Sequence, residues 1–151
     1  MQLQFSKYNF QIKTEPGRQL IFDIVRKKYV TLTPEEWVRQ YILHYLIYDH
    51  KYPKSLISVE KKVAVNGLPK RTDIVLYNRE AQPKIIVECK SPDVALSQKT
   101  FEQVARYNLT LQVPMLWVTN GTMHFLCRLS YTCEEHTFLQ KLPTAEEIMA
   151  L

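Results

Sequence analysis

An acid two residues ahead of a lysine occurs three times in the chain, as Asp49-His50-Lys51, Glu60-Lys61-Lys62 and Glu88-Cys89-Lys90. The third follows the apolar run Ile85-Ile86-Val87, which reads as a strand ending on these residues. Side chains alternate along a strand, so Glu88 and Lys90 share a face with Ile86 while Cys89 points the other way. Asp73 lies on the preceding strand, joined to this one through the polar turn Asn78–Pro83. Pairing centred near residues 80 and 81 sets Asp73 opposite Glu88, about 4.8 Å away. Two carboxylates that close repel, and one is driven up in pKa unless a cation lies between them. A hard divalent ion such as Mg²⁺ takes one or two carboxylates, keeps several waters and bridges to phosphate oxygens. A neighbouring lysine can orient water and offset charge building on phosphorus. Asp73, Glu88 and Lys90 are thus the groups that metal-dependent phosphodiester cleavage requires. A cross-strand ion pair, worth about 0.2 to 1 kcal/mol, accounts for the same residues without function. Of the other two pairs, Asp49-His50-Lys51 falls at a helix end. Glu60-Lys61-Lys62 falls in a strand with no aspartate expected to face it.

The elements that must position these groups can be read from periodicity. Residues 1–31 read as an arm of short extended pieces, with one strand over Leu20–Val25. Thr33 is an N-cap, Pro34 takes the first helical position, and Glu36 completes a capping box. Trp37, Val38, Tyr41, Ile42, Tyr45 and Leu46 follow at helical spacing, with the helix running to about Tyr48 and the aromatic residues in the core. Strands are expected over Leu56–Val65, Thr72–Tyr77 and Lys84–Lys90, with Asn66-Gly67 turning the first hairpin. A helix follows from about Ser97 to Leu111, with Phe101, Val104 and Leu111 inward. Val113–Val118 reads as a buried strand, Asn120-Gly121 as a turn, Met123–Leu129 as a returning strand and His136–Leu142 as an edge strand. Thr144 opens a last helix with the capping box Thr144-Ala145-Glu146-Glu147. A three-strand meander, a crossover helix and further strands give an α/β fold, a mixed β-sheet flanked by helices on both faces.

The 151 residues suit one domain, 1–151, with residues 1–30 as its arm. The net charge of +5 and pI of about 9.1 suit a polyanionic partner, and Arg26-Lys27-Lys28, Lys61-Lys62 and Lys70-Arg71 cluster. Each cluster also reads as solvated surface. No apolar run is long enough to cross a membrane, and no secretory leader is recognisable. Cys89, Cys127 and Cys133 form no C-x-x-C, so neither a disulfide framework nor structural zinc is expected, and a reducing cytoplasm fits. The absence of a P-loop and of G-x-G-x-x-G excludes an autonomous ATPase or dinucleotide enzyme.

Four stretches in order, Pro34-Glu35-Glu36-Trp37-Val38-Arg39-Gln40, Arg71-Thr72-Asp73, Ile86-Val87-Glu88-Cys89-Lys90-Ser91-Pro92 and Gln103-Val104-Ala105-Arg106-Tyr107, resemble the PD-(D/E)XK nuclease superfamily. Within it they are similar to the stand-alone group resembling the N-terminal nuclease domain of type I restriction enzyme motor subunits. The resemblance spans roughly Ile21 to Arg128 and implies a restriction-endonuclease-like fold. It also implies that Asp73 and Glu88 are metal ligands, joined by the carbonyl of Cys89, and that Lys90 is the catalytic lysine. A first-helix acid adds a further contact, with Glu36 the choice and Glu35 the alternative. Gln103 and Tyr107 match a Q-x-x-x-Y motif that helps place nucleic acid, and in a helix they share a face. Arg71 and Arg39 are further nucleic-acid candidates, although Arg39 serves equally to anchor its helix to an acid. Thr72 stands where the superfamily often has proline. The implied activity is Mg²⁺-dependent hydrolysis of nucleic acid, DNA ahead of RNA, with Mn²⁺ able to substitute. Sequence specificity would be weak, or supplied by a dimer or partner protein. The rival readings are an inactive nucleic-acid-binding or assembly module on the same fold, and a structural ion-pair network.

Overall fold

The arm, read as short extended pieces with one strand, is a three-stranded sheet. In the computed structural model, which describes residues 1–65, 67–109, 112–130 and 136–151, β1 (Ile12–Glu15), β2 (Arg18–Asp23) and β3 (Lys28–Thr31) form an antiparallel sheet in that order. Of residues 63–65, 68 and 107–109 only the backbone is described. The sequence pointed to one strand here because few apolar side chains mark the others. The anchor is instead polar. Asp23 is fully buried and accepts hydrogen bonds from the Val25 and Arg26 amides at 2.8 and 2.7 Å, closing the β2–β3 turn.

Helix α1 (Pro34–His44) starts as its caps dictate: Thr33 Oγ1 accepts from the Glu36 amide at 3.0 Å. Only half of the expected capping box forms, because the Glu36 side chain turns to two arginines. The helix ends earlier than expected, passing into a π-helical turn over Tyr45–Asp49. Trp37, Tyr41 and Tyr45 are half-buried rather than core. They carry the N-terminal segment: Phe10 lies 4.7 Å from the Tyr41 ring and 5.0 Å from Trp37, and Phe5 packs edge-on to Tyr45.

The main sheet has the order β4 (Ile57–Val65), β5 (Leu68–Tyr77), β6 (Pro83–Cys89), β7 (Met115–Thr119), β8 (His124–Leu129), β9 (His136–Leu139). Every neighbouring pair is antiparallel except β6–β7, which is parallel and bridged by helix α2 (Gln98–Leu109). Strand alternation divides the core. Ile74, Leu76, Ile85, Val87 and Trp117 pack with Val38 and Ile42 of α1 and with Ile148 of the last helix, α3 (Ala145–Met149). Val75, Ile86, Leu116 and Val118 pack on the other face with Phe101 and Val104 of α2. This is the expected mixed α/β arrangement, with helices on both faces of the sheet.

The β7–β8 turn matches its signal. Asn120 Oδ1 accepts from the Thr122 and Met123 amides, and Gly121 (φ +95°) sits where a Cβ would come 3.4 Å from Val38. At α3 both halves of the Thr144–Glu147 capping box are present. Asn66 of the first hairpin turn, Leu111 and Cys133 lie outside the described residues, while Cys89 and Cys127 are buried free thiols. Among the described residues no helix is long and apolar enough to cross a membrane.

Candidate active site

Strands β5 and β6 pair as Leu76↔Ile85, Val75↔Ile86 and Ile74↔Val87, the register that sets Asp73 opposite Glu88. The ladder stops there. Asp73 Oδ2 accepts the Cys89 amide at 2.8 Å, so a side chain replaces the backbone carbonyl where the strands part. Cys89 itself is buried on the α1 side, as alternation requires. The Lys90 amide donates to the Thr119 carbonyl at 2.7 Å, holding the residue against β7 as β6 ends.

The electrostatics tie these groups together. Burial and then the Asp73 charge push the Glu88 carboxyl up to about 7, and the two carboxyls are within hydrogen-bonding reach. Lys70, at 3.5 Å from Glu88 Oε1, and Lys90 act in the opposite sense. Burial and Asp73 also raise Glu35, while Arg39 and Lys90 lower it. Glu35 therefore shares the field of Asp73 and Lys90 and lines an open cleft of about 770 Å³ with Glu36, Arg39, Glu60 and Ser91.

Glu36 is differently engaged. Its Oε1 accepts from Arg26 at 2.8 Å and from Arg39 at 3.1 Å. Burial pushes its carboxyl up while the two guanidinium groups pull it back. Asp73 and Lys90 act electrostatically on Glu35, whereas the Glu36 carboxylate is taken up by Arg26 and Arg39. Arg39 is buried and donates to Asp73 Oδ1 at 2.9 Å, joining Glu36, Glu60 and Asp73 in one network. Arg71 is exposed and reaches Glu60 at 3.3 Å. Gln103 stands exposed on α2, and no described hydrogen bond ties it to the site; the Tyr107 side chain lies outside what the structure describes.

Glu60 corrects the sequence expectation. The β4–β5 register runs Val59↔Ile74 and then Lys61↔Thr72, so the position it skips brings Glu60 opposite Asp73. Glu60 adopts φ 53°, a left-handed backbone at a non-glycine residue within a strand. The same acid receives Arg26, Arg39 and Arg71 at 3.2 to 3.3 Å. Sequence reasoning also missed Lys70 at Glu88. The signal for Glu60 was the β4–β5 register, which Asn66-Gly67 could have set.

The donor set fits a hard divalent cation. Among the described residues no group of three His, Cys, Asp or Glu side chains converges as a ligand set. Mg²⁺ needs only one or two carboxylates from the protein, filling its shell with carbonyl oxygen and water. Asp73 and Glu88 supply that pair. Each Asp73 oxygen already accepts one bond and retains further acceptor capacity.

Residues 34–143 match the family described as the type I restriction enzyme R protein N terminus. The chain belongs to that family. The match takes in α1, the whole of β4–β9 and every residue of the site described above except Arg26, and leaves the β1–β3 sheet outside it. No curated protein matches the chain. Among solved structures, a fragment assigned as the HsdR subunit of a type I restriction enzyme from Vibrio vulnificus YJ016 is similar, at 24% identity and a TM-score of 0.44. That likeness covers 62% of this chain and 20% of the other, so this R protein N-terminal chain spans about a fifth of that one.

Proposed function

We propose that this R protein N-terminal chain is a nuclease that hydrolyses phosphodiester bonds in DNA, with Mg²⁺ or Mn²⁺ held by Asp73, Glu88 and the Cys89 carbonyl. The observation that carries the reading is the pair Asp73 and Glu88, side by side where β5 and β6 part, with Lys90 at the same strand end. Membership of a restriction-enzyme nuclease family supports it.

A bound divalent ion would supply Lewis acidity toward water and the phosphate oxygens. The chain's own residues do the rest. Asp73 is held rigid by the Cys89 amide on one oxygen and by Arg39 on the other. Lys90 presents its ammonium group to the attacking water and to the charge that develops on phosphorus. Glu35 accepts a hydrogen bond from water in the cleft. Specificity, a homodimer or a partner protein, and placement of nucleic acid by Gln103 and Tyr107 belong to the same proposal.

Nicking of plasmid DNA in Mg²⁺ or Mn²⁺ tests it. Wild type should nick, with the activity removed by chelator and reduced at least a hundredfold in Lys90→Ala. Mn²⁺ binding by calorimetry should be lost in Asp73→Asn. Equal nicking by wild type and Lys90→Ala would end the reading. One observation favours an inactive binding module: the Arg39 guanidinium already occupies Asp73. That alternative predicts salt-sensitive DNA binding with no nicking and no Mn²⁺ uptake.

A further inference from the structure

We infer that the β4–β5 hairpin is a duplex-binding arm whose Lys61, Lys62, Lys70 and Arg71 contact the phosphate backbone beside the cleavage point, an assignment that rests on the nuclease reading for where that backbone runs. The row starts at the site. Lys70 lies 3.5 Å from Glu88, and Arg71 follows it on β5. Across the hairpin, Lys62 pairs directly with Arg71 on one face of the ribbon, while Lys61 and Lys70 alternate to the other, so cations flank both faces. Lys61, Lys62 and Arg71 are exposed. Arg26, bound to Glu60 at 3.2 Å, fastens the β2–β3 turn against β4 and brings the exposed Lys27 and Lys28 to the flank.

Charge complementarity selects the occupant. Like charges directly opposite each other weaken a hairpin, yet Lys62 and Arg71 are so paired. The nearby acid, Glu60, already receives three guanidinium groups, and among the described residues neither Lys61 nor Lys62 forms an ion pair. The hairpin therefore keeps an excess of positive charge that a polyanion would neutralise. Contacts of this kind fix the duplex without reading its sequence.

The test is the salt dependence of binding, measured by anisotropy on two labelled duplexes of unrelated sequence, without divalent ions. Each phosphate contact contributes about 0.9 to the slope of log affinity against log salt. The Lys61→Ala/Lys62→Ala chain should lose about 1.8 of that slope on both duplexes. Lys61→Arg/Lys62→Arg should keep it, and melting temperatures should match wild type. An unchanged slope, a loss on one sequence only, or no duplex binding by wild type at low salt would overturn the inference. Plasmid nicking separates the two proposals. Nicking with an unchanged slope removes only the arm, whereas a lost slope without nicking keeps the arm and removes the nuclease.

Discussion

Two adjacent glutamates at the start of α1 have opposite assignments. Glu36 is buried and holds Arg26 and Arg39, so its removal leaves one buried and one half-buried cation partly unanswered. Breaking such a pair from one side costs about 3 kcal/mol or more. Glu36→Ala should therefore lower the melting temperature by roughly 6 to 12 °C for a chain of this size. Glu35 is exposed and coupled to Asp73 and Lys90. Glu35→Gln should leave the melting temperature within 2 °C or so of wild type, an effect of about 0.5 kcal/mol, while reducing plasmid nicking. A melting loss in Glu35→Gln with none in Glu36→Ala would reverse the assignment. The sequence could not separate them, because both sit in the first turn and the capping box gave Glu36 a sufficient reason. Asp73, Glu88 and Lys90 were legible because strand alternation and one hairpin turn fix their side and register. Glu60 was not: it is placed by the uninterrupted β4–β5 register, which the expected strands left unpaired, and its left-handed backbone has no glycine to announce it.

At the scale of elements, signals carried by local backbone chemistry were followed closely. Thr33, Pro34, Asn120-Gly121 and the Thr144–Glu147 box act within a few residues of themselves, so tertiary packing has little to override. Elements whose cause is remote were not legible. The β1–β3 sheet is anchored by buried Asp23 and by Arg26 reaching to Glu36 and Glu60, contacts across 10 and 34 positions of chain. The aromatic residues of α1 looked like core because the ten residues that cover them carry no periodic signal of their own. Capping makes a measurable difference here, since α1 carries both Glu35 and Arg39 to the site. The Thr33 hydroxyl satisfies one otherwise orphaned amide at 3.0 Å. Thr33→Ala should cost about 1 kcal/mol. In a urea titration the midpoint should fall with the slope unchanged. Thr33→Ser should restore it, and an unaltered midpoint in Thr33→Ala would show that the cap does not hold the helix.

Across the whole molecule, the end of the sheet is sealed by a histidine that must stay neutral. His124 is buried at the start of β8, with Nδ1 2.8 Å from Thr119 Oγ1 and its ring against Phe5 and Trp117. Its carbonyl accepts from the Met1 amino group, the charge nearest the ring, and no acid is among these neighbours. Burial, then the amino group, pushes the imidazole down from 6.5 to about 4. Burial also lowers His44 in the neighbouring helix. Because the folded value lies below the unfolded one, the unfolded chain binds more protons between them, and stability rises with pH in that window. The His124 contribution is fully present above pH 6.5 or so, and is lost as pH falls through about 4. Between pH 7.5 and 4.5 this amounts to ~2.5 kcal/mol for a fully desolvated ring. Carboxylates titrate over part of the same range, so the informative quantity is a difference between chains. Urea unfolding of wild type and His124→Asn at both pH values should show the variant losing about 2 kcal/mol less on acidification. Equal losses would mean that the imidazole is solvated and that the N-terminal segment does not close this end of the sheet. The N-terminal segment and the turn after β7 would then be joined only loosely, and α1, with the acids it delivers, would lose the support that the Phe5 and Tyr8 rings give it.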